Sequence, residues 1–169
     1  MKPLRIPLLL LLSVTIPAHP QQNEAANKLV GAWRLVSVEG MSPVRHIEYD
    51  HPTGLIIYDK SGWMSVQIAI KGDRKPFANG LGSGTPEEKA AAFDTYFSYY
   101  GPYTIDVKAQ TVTHHIKGYS YPTNAEINNV RWYEFQGPDR LLLIPTEDGH
   151  GGTIDRKTAT YKLVWERIK

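Results

Sequence analysis

Two adjacent histidines, His114 and His115, sit in a run, TVTHHIKGY, whose β-branched residues favour a strand. Side chains alternate across a strand, so the pair points to opposite faces and cannot close on one metal ion from the same side. Val112, His114 and Ile116 share the more apolar face, which makes His114 the candidate for an interior and His115 the candidate for solvent. Two roles suit an interior His114. It is either a core histidine satisfied by a tyrosine or carboxylate, or a group that contacts a ligand or moves a proton.

Arg131 raises a second question of partners. It shares a strand face with Tyr133 and Phe135, and burying an unpaired charge is expensive. Three solutions are open: a rim salt bridge, an ion pair with Glu48 or Asp94, or an anionic group such as a carboxylate held by the guanidinium. Tyrosines crowd the same segments, with Tyr58, Tyr96, Tyr99, Tyr103, Tyr119 and Tyr121 each offering a large ring and one hydroxyl, which suits an amphipathic ligand. Trp63 and Gln67 alternate with Met64, Val66, Ile68 and Ile70. A solid core would turn the second set inward, whereas a partly polar lumen would be lined by Trp63 and Gln67. The candidate ligand-binding residues are thus Tyr58, Trp63, Gln67, Tyr99, Tyr103, His114 and Arg131.

Other chemistries find little footing. His46, His51 and His150 have no ligand spacing and the chain has no cysteine, so neither a metal nor another cofactor is expected. There is no Gly-x-Ser-x-Gly, Ser61 and Ser83 lie in turn sequences, and Glu134 stands alone among the strands.

The elements that must position these residues are short strands punctuated by turns. Residues 29–39 (LVGAWRLVSVE) and 158–168 (TATYKLVWERI) read as long first and last strands of a sheet whose ends meet, with Tyr161, Leu163, Trp165 and Arg167 on one face. A short polar strand is expected at 45–50. Residues 54–59 and 63–70 make the clearest hairpin, around Asp59-Lys60-Ser61-Gly62, and 103–108 with 111–119 make a second. Strands at 130–136 and 140–144 flank Gly137-Pro138-Asp139, and Gly-rich loops fill 71–84 and 146–152.

One helix is expected, over residues 85–101 (TPEEKAAAFDTYFSYYG). Thr85 and Glu88 form a capping box, Pro86 suits the first turn, Gly101 is the stop, and Phe93, Tyr96, Phe97 and Tyr100 fall on one face. Such a helix would plug one mouth of a barrel through Phe93 and Phe97, leaving Tyr96 or Tyr99 to border the cavity. Eight to ten short strands with one inserted α-helix give an all-β fold, a closed antiparallel up-and-down β-barrel, and about eight strands can hold one small ligand.

At 169 residues the chain has the size of one domain plus a processed segment. Lys2 and Arg5 precede an apolar run from Ile6 to Val14, with Ala18 a candidate last residue before cleavage. This is signal-peptide anatomy, and the run is too short to span a membrane; an uncleaved anchor is the other reading. The expected division is 1–20 signal peptide, 21–28 tether or short helical turn, and 29–169 barrel domain, in a secreted or periplasmic protein with no stable membrane anchor after cleavage. Losing Lys2 and Arg5 from 19 basic residues leaves 17 against 17 acidic ones. A neutral domain without Lys/Arg runs argues against nucleic acid as a partner.

Gly31-x-Trp33 on the first strand, with Trp165 and Arg167 on the last, resembles the lipocalin pattern in which an arginine covers the first-strand tryptophan at the closed end of the barrel. The ordered run of LVGAWRLVSVE, GLIIYDKSGWMSVQI, GTPEEKAAAFDTYFSYYGPYTID, TVTHHIKGYSYP, Arg131 and LVWERI resembles the bacterial and fungal lipocalin-like domain family over nearly all of the mature chain. The resemblance implies a calycin-type barrel with a lipocalin- or streptavidin-like core. Barrels of this type serve as binders and as cyclases or isomerases. The expected function is binding of a small hydrophobic or amphipathic molecule inside the barrel. A cyclase- or isomerase-type enzyme using His114 or a tyrosine, and an interaction module with a filled core, are the alternatives.

Overall fold

The computed structural model of the chain describes residues 20–43, 48–72, 74–123, 126–148 and 152–169. The expected export segment up to residue 19, residues 45–47 of the short polar strand, and His46 and His150 lie outside them. Asp50 makes only an isolated bridge to Lys71.

Nine strands run among the described residues: β1 (Gly31–Glu39), β2 (Thr53–Tyr58), β3 (Trp63–Ala69), β4 (Tyr96–Asp106), β5 (Thr111–Ile116), β6 (Gly118–Tyr119), β7 (Ile127–Phe135), β8 (Arg140–Pro145) and β9 (Lys162–Arg167). Eight of them close a barrel in the order β3-β2-β1-β9-β8-β7-β5-β4, with β4 pairing back onto β3. All these pairings are antiparallel, and the first and last strands meet, Trp33 opposite Arg167. Closure leaves no barrel strand with a free edge.

The ninth strand, β6, resumes the line of β5 after a break and adds to β4 through Tyr99 opposite Tyr119. Gly101 explains the break. A Cβ there would lie 1.9 Å from the backbone oxygen of His115, so the chains approach where only glycine fits.

The two barrel ends differ. Tight turns close the base between β2 and β3, where Gly62 N donates to the Asp59 carbonyl and Ser61 N to the Asp59 carboxylate. The base also carries the turns between β4 and β5 and between β7 and β8. At the base the segment expected as a tether or short helical turn forms the helix α1 (Pro20–Leu29), stabilised by an ion pair between Lys28 and Glu24 one turn apart. Leu29 is fully buried and accepts a hydrogen bond from Trp33 Nε1 at 2.8 Å. Arg167 lies over the Trp33 ring, 4.0 Å from its centroid, and donates to the carbonyls of Val30 and Lys28. Gly31 is required for this contact, since a Cβ there would meet Arg167 Nη1 at 2.7 Å.

The longer connections lie at the other end, and among them is the second helix, α2 (Pro86–Asp94). Its capping box is formed as the sequence predicts, with Thr85 Oγ1 accepting from Glu88 N and Glu88 Oε2 accepting from Thr85 N. The helix nevertheless ends seven residues short of Gly101. Thr95 turns its hydroxyl back onto the Ala91 carbonyl and caps the last turn, and the chain enters β4 at Tyr96. The run Tyr96-Phe97-Ser98-Tyr99-Tyr100 has stronger β than helical preference and gains a full ladder against β3. The aromatic spacing read as helical is the alternation of β4, with Tyr99 buried and Tyr100 exposed. The helix does not plug the barrel: none of its residues is buried, and Phe93 touches the edge of Tyr121 with ring centroids 5.1 Å apart.

Candidate functional site

Alternation along the strands sends one side chain in two into the barrel. On β3 the inward set is Met64, Val66 and Ile68, all buried, packed with Trp33, Tyr58, Tyr99, Val112, Tyr133 and Trp165. Toward the base these side chains pack against one another. Toward the long connections they leave a cavity of about 120 Å³. Its apolar wall includes Ile56, Val66, Ile68, Phe97, Leu143 and Trp165, and its polar groups come from Ser42, Tyr49, Tyr99, His114, Asn129, Arg131 and Tyr161, among other residues.

His114 lies at the inner end of the cavity, 1 % exposed. Each of its ring nitrogens meets a tyrosine: Nε2 lies 2.8 Å from Tyr58 Oη and Nδ1 lies 2.9 Å from Tyr99 Oη. Burial holds the imidazole neutral, with its pKa pushed down to about 3, and the Arg131 charge acts in the same direction. Burial also raises the Tyr58 and Tyr99 hydroxyls above their ordinary values. The triad therefore carries no charge near neutrality.

Satisfaction of the hydrogen bonds gives the triad a direction. A neutral imidazole has one N–H and one bare nitrogen. Tyr58 Oη is buried, and among the described residues it bonds only to His114, so its proton goes to Nε2. Nδ1 then carries the hydrogen and donates to Tyr99 Oη. Tyr99 is the end of the relay that borders the cavity, where its hydroxyl oxygen also hydrogen-bonds the Asn129 side chain and feels the Arg131 charge.

Arg131 reaches the cavity from β7. Its Nη1 donates to the Val130 carbonyl at 2.9 Å, and among the described residues it forms an ion pair with neither Glu48 nor Asp94. Near the mouth, Tyr161 Oη donates to Tyr49 Oη at 3.0 Å. Among the described residues, no group of three His, Asp or Glu side chains gathers where it could hold a metal.

A family model for a lipocalin-like domain matches residues 30–168, which is the barrel itself. The chain belongs to the lipocalin-like domain family. No curated protein matches it.

Within this lipocalin-like domain the seven sequence-predicted site residues divide into three groups. Tyr99, His114 and Arg131 line the cavity together. Tyr58 and Tyr103 lie beneath it: Tyr58 bonds His114 from below, and Tyr103 packs edge-on against Tyr58 at 5.0 Å with its hydroxyl on the Asp59 carbonyl. Trp63 and Gln67 are on the outer wall. Trp63 is 46 % exposed, and Gln67 Nε2 donates to Ser65 Oγ on the same outer face. The β3 face left open in the sequence is therefore decided for Met64, Val66 and Ile68, whose burial removes more apolar surface from water.

The lipocalin-like cavity also uses residues that the sequence reading passed over. Asn129 precedes Arg131 by two positions on β7, and the alternation that turns Arg131 inward turns Asn129 inward as well. Trp165 on β9 and Tyr161 just before it carry the same signal. Ser42 and Tyr49 come from the connection between β1 and β2, where no periodicity marks them.

Proposed function

We propose that this lipocalin-like domain binds one small, partly apolar molecule in the upper half of the barrel. The observation that carries the reading is the cavity itself, where aromatic and aliphatic walls converge on the polar groups of Tyr99, His114 and Arg131. A few convergent polar groups in an otherwise apolar enclosure are what a binding site requires. Tyr58 and Tyr103 serve as its floor, Tyr58 bonding His114 Nε2 and Tyr103 packing against Tyr58.

Binding is favoured over proton transfer by the electrostatics. A general base works best with a pKa near the working pH, whereas His114 is held neutral to about 3 between two tyrosines whose own values are raised. The groups offer fixed donors and acceptors with no base poised near neutrality. We further propose export to the periplasm or medium, supported by Lys2, Arg5, the apolar run and Ala18. Recovery of the full-length N-terminus in the cytosol of its host would overturn that part.

Native mass spectrometry of the protein purified from its own host tests the binding reading, with a panel of small aromatic probes added to ligand-stripped protein and followed by the NMR signals of His114 and Trp165. A co-purifying small molecule, or a saturable shift of both signals, is expected. Neither a bound mass nor any shift across the panel would sink it.

A further inference from the structure

The cavity has an uneven electrostatic lining. Its described walls contain one guanidinium, that of Arg131, and no aspartate or glutamate. The histidine among them is neutral. Arg131 has five N–H donors in a planar fork, and its one protein acceptor among the described residues is the carbonyl of its own neighbour, Val130. Among the described residues none of its nitrogens is buried without a partner, and the side chain lines the cavity. Beside it, Tyr99 Oη, bonded to His114 Nδ1 and to the Asn129 side chain, borders the same space.

Arg131 is half-buried and pairs with no carboxylate among the described residues, which leaves its counter-charge to solvent ions or to a bound molecule. We propose that the ligand supplies it: the cavity takes a small monoanion, a single ring or short branched chain bearing one carboxylate, with Arg131 as its bidentate partner and Tyr99 as a further donor. The inference rests on the binding reading above and narrows it to a ligand class. Size agrees with charge. A dry apolar cavity of about 150 Å³ accommodates benzene, so about 120 Å³ suits a ring of that order. Arg131 also acts on Tyr58, Tyr99, His114 and Tyr161 through its charge, which places the guanidinium within electrostatic reach of the whole polar cluster.

The test uses the barrel with sodium benzoate and its near-isosteric neutral counterpart, benzyl alcohol, titrated at pH 7.5 with Trp165 fluorescence and calorimetry as readouts. Wild type is expected to bind benzoate at least about tenfold more tightly than benzyl alcohol, the scale of one charge-assisted hydrogen bond pair. Arg131→Gln should bring that ratio close to one, and Arg131→Lys, which keeps the charge without the fork, should fall between. Tyr99→Phe should lower benzoate affinity several-fold, and circular dichroism checks that each variant is folded. Equal binding of the two probes by wild type, or an unchanged ratio in folded Arg131→Gln, overturns the anion inference and leaves the cavity reading standing. Binding of neither probe overturns the anion inference, and the probe panel with native mass spectrometry decides the binding reading separately.

Discussion

The guanidinium of Arg167 lies 4.0 Å from the ring centroid of Trp33 and bonds to the carbonyls of Val30 and Lys28, so a single side chain from the last strand closes the barrel base over the first. The arginine side chain is 23 % exposed, and its contacts tie together α1, β1 and β9. Arg167→Ala should lower unfolding free energy by about 2–4 kcal/mol, combining a lost cation–π contact with two carbonyls left without their donor. Arg167→Lys should recover less than half of this, since a lysine offers no fork. Urea unfolding decides the matter; a loss below about 0.5 kcal/mol for the alanine variant would mean that α1 and the base close without it.

At the other side of the core, the bond from Tyr58 to His114 Nε2 is expected to fix the imidazole tautomer. Nitrogen NMR should show His114 with a protonated Nδ1 and a bare Nε2. Tyr58→Phe removes the only described donor to Nε2 and should cost about 1–3 kcal/mol. Finding Nε2 protonated in wild type would reverse the relay.

The depressed His114 pKa makes stability depend on pH with a definite sign. In the unfolded chain the imidazole titrates near its ordinary value of 6.5, and in the fold at about 3. Between these values the unfolded state binds the extra proton, so the stabilising term is complete above 6.5, falls as pH drops, and is gone near 3. The slope is about 1.4 kcal/mol per pH unit. Comparing urea midpoints at pH 7.5 and 5.5, wild type should lose at least about 1 kcal/mol more than His114→Gln, which has no imidazole to protonate. Parallel losses in the two proteins would show that His114 is not shielded as the geometry requires.

Much of the barrel was legible in the chain because the signals for it are local. The turn at Asp59-Lys60-Ser61-Gly62, the capping box of Thr85 and Glu88, and the alternation that turns His114 inward and His115 outward are read over a few residues each, and each has its counterpart in the fold. The segment after Asp94 was misread because aromatic residues three and four apart satisfy a helical face and, in part, a strand face. What decides between them is the ladder with β3, a partner more than 25 residues away that no local window contains. The site was half legible for the same reason. Tyr99, His114 and Arg131 sit in strands whose inward face can be read, whereas Ser42 and Tyr49 reach the cavity from an irregular connection. Asn129 was hidden by composition, since paired asparagines suit a turn as well as a strand end.

The two faces of β3 supply the most direct check on where the cavity lies. Trp63 is 46 % exposed and Gln67 bonds to Ser65 on the outer wall, whereas Ile68 is 1 % exposed and lines the cavity. Trp63→Ala and Gln67→Ala should therefore each change stability by less than about 1 kcal/mol and leave probe affinity where it is. Ile68→Ala should cost about 2–4 kcal/mol and enlarge the cavity by the volume of the missing side chain, so larger neutral rings gain affinity relative to smaller ones. The measurement is a melting curve for each variant beside a titration series from benzene to naphthalene. A loss of probe binding in Trp63→Ala with none in Ile68→Ala would place the ligand on the outer wall and remove the lumen from consideration.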